Sequence, residues 1–145
     1  MNSRRARSGF TLIEIMLVVI IIGVLAAMVV PRLARRTEQA KVARAQADIN
    51  ANLSIAIDLF ELDNGRYPTA QEGLQALVQA PPGISGWNGP YLKKKMVPKD
   101  PWGNEYHYIS PGQHGSYDIS SLGADNKEGG EGEDKDINSW EDGKK

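Results

Sequence analysis

The chain of 145 residues contains no cysteine. Disulfides, thiolate nucleophiles and zinc–thiolate sites are therefore excluded, and an exported domain with a small core would need another cross-link. The chain has only two histidines, His107 and His114, and neither has a second histidine or cysteine at metal-ligand spacing. No nucleophile elbow or phosphate-binding loop is present. An enzymatic function thus has no positive support, and we predict that the chain is not an enzyme.

The chain also lacks a large excess of either charge, because its formal net charge is −1 at pH 7. The charges are unevenly distributed. Residues 1–9 contain Arg4, Arg5 and Arg7 and no acid, whereas acids outnumber lysines from Asp118 onwards. A nucleic-acid-binding domain needs a basic face on its folded part. The distribution therefore predicts no nucleic-acid partner.

One long apolar segment runs from Phe10 to Val30 and is interrupted only by Thr11 and Glu14. A helix of about 20 residues crosses the roughly 30 Å of a bilayer core, and the arginines before it favour a cytoplasmic N-terminus. A secretory signal cut after Ala26-Ala27 is the alternative. It fits less well, because the segment is too long and further apolar residues follow. We predict that residues 10–30 form a single membrane-spanning helix.

Glu14 is a carboxylate inside this apolar segment, where charge is costly without a partner. Two interpretations remain open. The side chain reaches the membrane surface, or it pairs with a positive group at the start of another copy's helix. Cleavage before Phe10 would create an α-amino group within one helical turn of this depth. A buried polar pair of this kind can fix the register of an assembly.

The segment Gly9-Phe10-Thr11-Leu12-Ile13-Glu14 with its short basic leader resembles the processing motif of type IV pilins and pseudopilins. The resemblance implies that a membrane prepilin peptidase cuts between Gly9 and Phe10 and methylates the new N-terminal Phe10. Residues 1–9 would then be a cleaved leader peptide. It also implies that Glu14 sets the axial register between the subunits of a filament.

Residues 31–64 are predicted to form an amphipathic, periplasmic continuation of the helix. Pro31 removes a backbone hydrogen bond, so the helix either ends or kinks there; the helix-like sequence that follows favours a kink. Gly65 suits a left-handed C-cap at the end of this helix. Between Pro31 and Gly65, apolar residues recur at helical spacing and predict one buried stripe. The stripe consists of Val42, Ala45, Ile49, Leu53, Ala56 and Phe60.

Residues 65–145 are predicted to form a small globular domain. The Thr69–Glu72 segment fits a capping box and predicts a short helix from about Ala70 to Gln79. Glu105–Ile109 alternates as a strand does, with Ser116–Ser121 as its partner. We therefore predict an α+β fold, in which the long helix packs on a small antiparallel sheet of two to four strands. Aromatic residues are expected mostly in the core: Trp87, Trp102, Trp140 and the tyrosines.

An acidic, glycine-rich segment extends from Leu122 to Asp136. Its composition fits a flexible, solvated loop. It also fits a calcium site, because calcium takes about six to eight oxygens from carboxylates and carbonyls and glycines let the backbone turn its carbonyls inward. The acids do not have EF-hand spacing. Ile137 and Trp140 follow, which predicts that the chain returns to the core. A cysteine-free exported domain would also gain stability from a metal that closes a long loop, which favours the calcium site.

Several segments make the resemblance more specific. They are Arg66–Thr69, Gly89–Leu92, Pro98–Asn104, and the stretch from Leu122–Asp125 through Asp136–Ile137 with Trp140. These segments are similar to the major pseudopilin, or protein G, family of type II secretion systems, and the similarity extends from Gly9 to about Trp140. Ordinary type IV pilins usually carry a C-terminal cysteine pair, which is absent here. A type IV or competence pilus subunit is the alternative.

The resemblance implies a structural subunit that polymerises into the periplasmic pseudopilus, a helical homo-oligomer that helps drive folded proteins across the outer membrane. The chain would be a single-pass inner-membrane protein with a periplasmic C-terminal domain. Its implied partners are prepilin peptidase, the minor pseudopilins and the inner-membrane assembly platform.

Calcium is the cofactor that the resemblance implies. The ion would be held in the acidic loop by carboxylates and by backbone carbonyls, with Glu133 as a further candidate. The implied carboxylate ligands are Asp125, Asp134 and Asp136, and the implied carbonyl ligands are Leu122 and Lys127.

Overall fold

The structure, a computed structural model, describes residues 9–141, and for residues 30–35 it describes the backbone alone. The chain divides into two units, Met1–Thr37 and Glu38–Lys145. Apart from Gly9, the predicted leader lies outside the described residues. The predicted boundaries between leader, spanning helix, periplasmic helix and globular domain stay predictions.

The helical part of the chain consists of three consecutive elements. Helix α1 (Leu12–Ala47) is followed by a π-helix (Asp48–Leu53) and by helix α2 (Ser54–Asn64). The backbone is helical through Pro31, so the helix does not end there, and the kink stays a prediction. Helix α2 ends at Gly65, which adopts the left-handed conformation (φ 69°) and donates its N–H to the Glu61 carbonyl at 2.7 Å. The predicted C-cap is thus confirmed.

The π-helix was not predicted, because the spacing of apolar residues indicated one uniform α-helix. Side-chain contacts account for it locally. Asp48 accepts hydrogen bonds from the Asn52 amide (2.6 Å) and the Tyr106 hydroxyl (3.3 Å), and the Ser54 hydroxyl donates to the Ile49 carbonyl five residues earlier (2.7 Å). The Ser54 N–H bonds the same Ile49 carbonyl, which is the five-residue pattern of a π-helix, and the Asp48 bonds hold this segment against Tyr106.

The predicted stripe supplies the helical side of the core in the second unit. Its members from Ala45 to Phe60 are buried, and Val42 packs partly buried at the edge. The sheet contributes Ile119 and Ile137, both buried. Helix and sheet therefore share one hydrophobic core, which confirms the predicted α+β fold.

The sheet has three strands in the order β1-β2-β3. They are β1 (His107–Ile109), β2 (Asp118–Ser121) and β3 (Ile137–Asn138), and both pairings are antiparallel, with Tyr108 opposite Ile119 and Ser121 opposite Ile137. The strands are shorter than predicted. Glu105 lies outside β1 because it forms an isolated bridge with Lys99.

The predicted short helix from Ala70 to Gln79 is wrong. The capping box does form, since the Thr69 N–H donates to the Glu72 carboxylate (2.8 Å) and the Glu72 N–H donates to the Thr69 hydroxyl (3.3 Å). Gly73 then adopts φ 57° and ψ −164°, a conformation that no helix contains. The chain forms a turn and a 3₁₀-helix over Leu74–Leu77 instead.

Trp140 does not join the core as predicted. It is 39% exposed and stacks on the ring of His114. Strand β3 ends at Asn138, so the chain leaves the sheet before it reaches Trp140. The other tryptophans and the tyrosines are buried or partly buried against the core.

Arg66 and Glu72 form an ion pair with two short contacts, 2.6 and 2.7 Å from the guanidinium nitrogens to the carboxylate oxygens. The hydrogen bonds from Arg66 lower the pKa of Glu72 to about 2, from 4.5, although partial burial acts in the opposite direction. The pair links the start of the globular part to the Thr69 capping box. Because the Arg66 side chain is 40% exposed, solvent screens the attraction.

Glu72→Gln is expected to lower the free energy of unfolding by about 1–2 kcal/mol at pH 7. A carboxyl group whose pKa is lowered by folding stabilises the protein above its unfolded pKa, and this contribution disappears as the pH falls through the folded value. The difference between wild type and variant should therefore shrink from about pH 4.5 towards pH 2. Urea unfolding at several pH values measures it. Glu105→Gln, which removes an exposed carboxylate outside this pair, should have little effect; equal losses in both variants would contradict the prediction.

Candidate assembly and calcium sites

The first unit contains the candidate assembly residues. Among the described residues, one helical segment is long and apolar enough to cross a membrane, Leu12–Val29, and none of its residues is buried within the chain. Gly9 and Phe10 precede α1, and Phe10 is 78% exposed. A β-carbon on Gly9 would meet no atom within 4 Å. Within residues 9–141, the junction predicted for cleavage is thus exposed, with open space around Gly9.

Glu14 lies in the first turn of α1 and makes a reciprocal contact with Thr11. The Thr11 N–H donates to the Glu14 carboxylate (3.4 Å), and the Glu14 N–H donates to the Thr11 hydroxyl (3.3 Å). This is a capping box, and a negative charge there also interacts favourably with the helix dipole. The Thr-x-x-Glu spacing was visible in the sequence, but the role was missed. The structure places Glu14 in the first turn of the apolar helix, four residues after Phe10 in the sequence.

The acidic loop closes where its two ends meet. The Ala124 N–H donates to the Glu133 carbonyl (2.9 Å), and Gly123 lies directly against the Asp134 backbone. A β-carbon on Gly123 would lie 2.7 Å from the Asp134 carbonyl carbon, and one on Gly130 would lie 2.6 Å from the Asp134 carbonyl oxygen. Both glycines have positive φ, +66° and +93°. The segment is therefore a closed turn that requires glycine at two positions.

Asp136 is the candidate ligand with the most distinctive surroundings. One carboxylate oxygen, Oδ2, accepts the Gly129 N–H at 2.8 Å. The other, Oδ1, is buried and has no hydrogen-bond partner. A buried carboxylate oxygen without a partner is costly, and a bound cation would satisfy it. This atom is the clearest indication of a missing positive group in the loop.

The other predicted ligands are less enclosed. Asp125 and Lys127 are exposed, and the Lys127 N–H donates to Asp125 Oδ1 at 3.2 Å. Leu122 and Asp134 are partly buried on either side of the Gly123 contact. Within residues 9–141, no three acidic or histidine side chains are grouped to hold a metal. A cation here would therefore take much of its coordination from backbone carbonyls.

Two residues outside the loop hold its first end, and sequence reasoning missed both. Asp100 accepts the Ser121 hydroxyl at 2.7 Å and the N–H groups of Trp102 (3.1 Å) and Asn104 (2.8 Å). The Asn104 amide in turn donates to the Gly123 carbonyl at 2.9 Å. The sequence indicated only a turn at Asp100–Asn104. The structure shows that this turn anchors the start of the acidic loop.

Gly123→Ala is expected to lower the free energy of unfolding by about 2–3 kcal/mol, because the added β-carbon meets the Asp134 backbone and φ is positive. Gly132→Ala is the matched control, since Gly132 has almost the same φ (+67°) but no atom within 4 Å of the added carbon. We expect it to lose only about 1 kcal/mol. Urea unfolding of the detergent-solubilised chain measures both. Equal losses would show that no close packing exists at Gly123.

Comparison with known proteins decides the family. A family model described as type II secretion system, protein G, matches residues 32–140. The chain belongs to the type II secretion system protein G family. In this protein G family member, a second model, described as the prokaryotic N-terminal methylation motif, matches residues 4–30.

Individual relatives agree with this assignment. A type II secretion system core protein G from Pseudomonas aeruginosa is 54% identical over 142 residues, which covers 95% of this chain and 98% of that protein. The core protein G of Vibrio cholerae is 48% identical over 143 residues, 97% of this chain and 96% of that protein. The crystal structure of the major pseudopilin from the type 2 secretion system of enterohaemorrhagic Escherichia coli matches with a TM-score of 0.63 and 35% identity. That match covers 76% of this chain and 95% of the crystallised one.

The prediction of a type II secretion pseudopilin is thereby confirmed, and the comparisons bring no support for a type IV or competence pilus subunit. The methylation motif indicates processing by prepilin peptidase and assembly into a pseudopilus. The apolar N-terminal helix of this pseudopilin indicates a membrane anchor. The calcium ligands stay predictions.

Proposed function

We propose that this protein G family member is a single-pass inner-membrane precursor that matures into the repeating subunit of a periplasmic pseudopilus. The observation that carries the proposal is the apolar segment Leu12–Val29, which is not buried within the chain and has Glu14 in its first turn. A bilayer can cover this surface before assembly, and neighbouring subunits can cover it in a filament. The same segment thus serves as anchor and as assembly surface.

The chain's part in secretion is structural rather than enzymatic. Polymerisation helps to drive folded proteins across the outer membrane. The subunit would contact the minor pseudopilins and the inner-membrane assembly platform, which add it to the growing filament. The positive charges before the spanning helix favour a cytoplasmic leader and a periplasmic C-terminal domain.

Processing is tested by N-terminal sequencing and by measuring the mass of the mature chain. We expect a chain that begins at Phe10 and carries one methyl group on its α-amine. Gly9→Val should leave the precursor uncut without affecting the fold, because a β-carbon at Gly9 meets nothing within 4 Å. A mature chain that begins after Ala27 would instead indicate an ordinary secretory signal.

Calcium is proposed as the cofactor of the acidic loop. Asp136 would supply a carboxylate, since its Oδ1 atom is buried and has no partner. Asp125 and Asp134 are not grouped with Asp136 among the described residues, so the bound ion would have to draw them in as further ligands, together with the carbonyls of Leu122 and Lys127. When bound, the ion supplies a cross-link between the two ends of the loop, which is the role that disulfides play in other exported domains.

A further inference from the structure

The segment after the acidic loop is tied to strand β2 over three residues. Asp136 is followed directly by β3, whose two residues pair with Ser120 and Ser121. Ser139 adds two hydrogen bonds to Ile119: its N–H donates to the Ile119 carbonyl (2.9 Å), and its hydroxyl accepts the Ile119 N–H (3.1 Å). The position of Asp136 therefore depends on how well this segment is held.

Trp140 follows Ser139 directly and makes an aromatic contact with His114. Its ring lies parallel to that of His114, with 4.1 Å between the centroids and 7° between the planes. His114 is itself fixed, because its Nδ1 atom lies 3.1 Å from the Asp118 carboxylate. That carboxylate also accepts the N–H of Gln113 at 2.7 Å and is almost fully buried. The Trp140 ring thus rests on a side chain that β2 holds in place.

The helix supports the same segment incompletely. A cavity of about 180 Å³ lies beside Val42 and Gln46 of α1, and Asp136, Ile137 and Glu141 border it. The cavity is open to solvent, so these residues are not packed closely against α1 there. The contacts to β2 and to His114 hold the segment on its other side.

We propose that Trp140, through its stack on His114, is a positioning residue for calcium that holds the end of the acidic loop so that the Asp136 carboxylate stays in place. The inference rests on the calcium binding proposed above. Loop ends that are fixed before binding reduce the entropy lost when the ion binds. Without the stack, Asp136 is in place in a smaller fraction of molecules. The apparent calcium affinity falls in proportion to that fraction.

Calorimetric titration of calcium into the full-length chain in detergent, after removal of bound metal, tests the proposal. We expect Trp140→Ala and His114→Ala each to weaken calcium binding about three- to tenfold. A loss of this size corresponds to the free energy of one aromatic pair. Because both variants remove the same contact, the double variant should bind no more weakly than either single one. Trp140→Phe keeps a ring on His114 and should recover most of the affinity.

Trp87→Phe is the matched control, because Trp87 is a partly buried tryptophan that contacts Tyr91 and the Ala76 carbonyl rather than His114. Its calcium affinity should equal that of the wild type. Unchanged affinity in Trp140→Ala, or additive losses in the double variant, overturns the positioning role. If Trp140→Ala fails to fold, His114→Ala decides, since it leaves the C-terminal segment intact. A flat titration of the wild type overturns the calcium site itself, which distinguishes that failure from a failure of the stack.

Discussion

Removal of calcium with a chelator is expected to lower the melting temperature of the chain by about 10 °C or more. A ligand present at about 100 times its dissociation constant stabilises the folded state by about 2.7 kcal/mol. In a domain of about 100 residues each kcal/mol moves the midpoint by about 4–8 °C. The gain would arise because the proposed ion would join the two ends of a long acidic loop and would satisfy the Oδ1 atom of Asp136, which is buried without a hydrogen-bond partner. Circular dichroism with and without the chelator measures the shift.

The loop supplies its own control for this experiment. Asp136→Asn should lower the melting temperature in calcium and should respond little to the chelator. Glu128→Gln removes the same charge from an exposed residue of the same loop and should behave like the wild type. A wild-type melting temperature that does not change on chelation would remove calcium from the proposed function.

Glu14→Ala is expected to abolish filament formation while the chain still inserts into the membrane. After cleavage, the α-amine of Phe10 on one subunit can neutralise Glu14 of its neighbour, and an unpaired carboxylate among packed apolar helices is costly. Loss of the carboxylate removes this axial register but makes the segment more apolar, so insertion is preserved. Electron microscopy of sheared filaments and membrane fractionation measure the two outcomes.

The contact between Thr11 and Glu14 provides the control, because the carboxylate has a local capping role as well. Thr11→Val removes the hydroxyl half of the capping box and keeps the carboxylate, so filaments should still form. Glu14→Gln keeps a hydrogen-bonding group without the charge and should fail as Glu14→Ala does. Normal filaments from Glu14→Ala would refute the register role, and loss of filaments in Thr11→Val would assign the effect to capping.

The parts of the fold that depend on local pattern were predictable. The buried stripe from Val42 to Phe60 follows from helical spacing, and Gly65 follows from the need for positive φ at a helix end. The π-helix was not predictable, because the Asp48 carboxylate there meets Tyr106, which lies 58 residues further along the chain. The wrong helix after Thr69 has a different cause, since Gly73 lies inside the predicted helix and its backbone adopts a non-helical conformation.

The candidate sites also divide into residues that a local pattern identifies and residues that only long-range contacts bring together. Gly9, Phe10 and Glu14 lie within one six-residue motif, so the sequence identifies them without a structure. The anchors of the acidic loop are not contiguous: Asn104 bonds Gly123 across 19 residues, and Asp100 bonds Ser121 across 21. Composition fits either a flexible loop or a calcium site, and no local signal connects the loop to the turn at Asp100–Asn104. Contacts of this range depend on the packing of the whole domain.

The π-helix Asp48–Leu53 also makes the helix tolerant of a change in its length. Hydrogen bonds in a π-helix join residues five apart and so enclose one residue more than those of an α-helix. Loss of one exposed residue from this segment, such as Ala51, would let the bonding return to the α pattern. The residues on either side would keep the same faces towards the core. The segment is therefore a place where the gene for such a subunit can lose a codon without a redesign of the core.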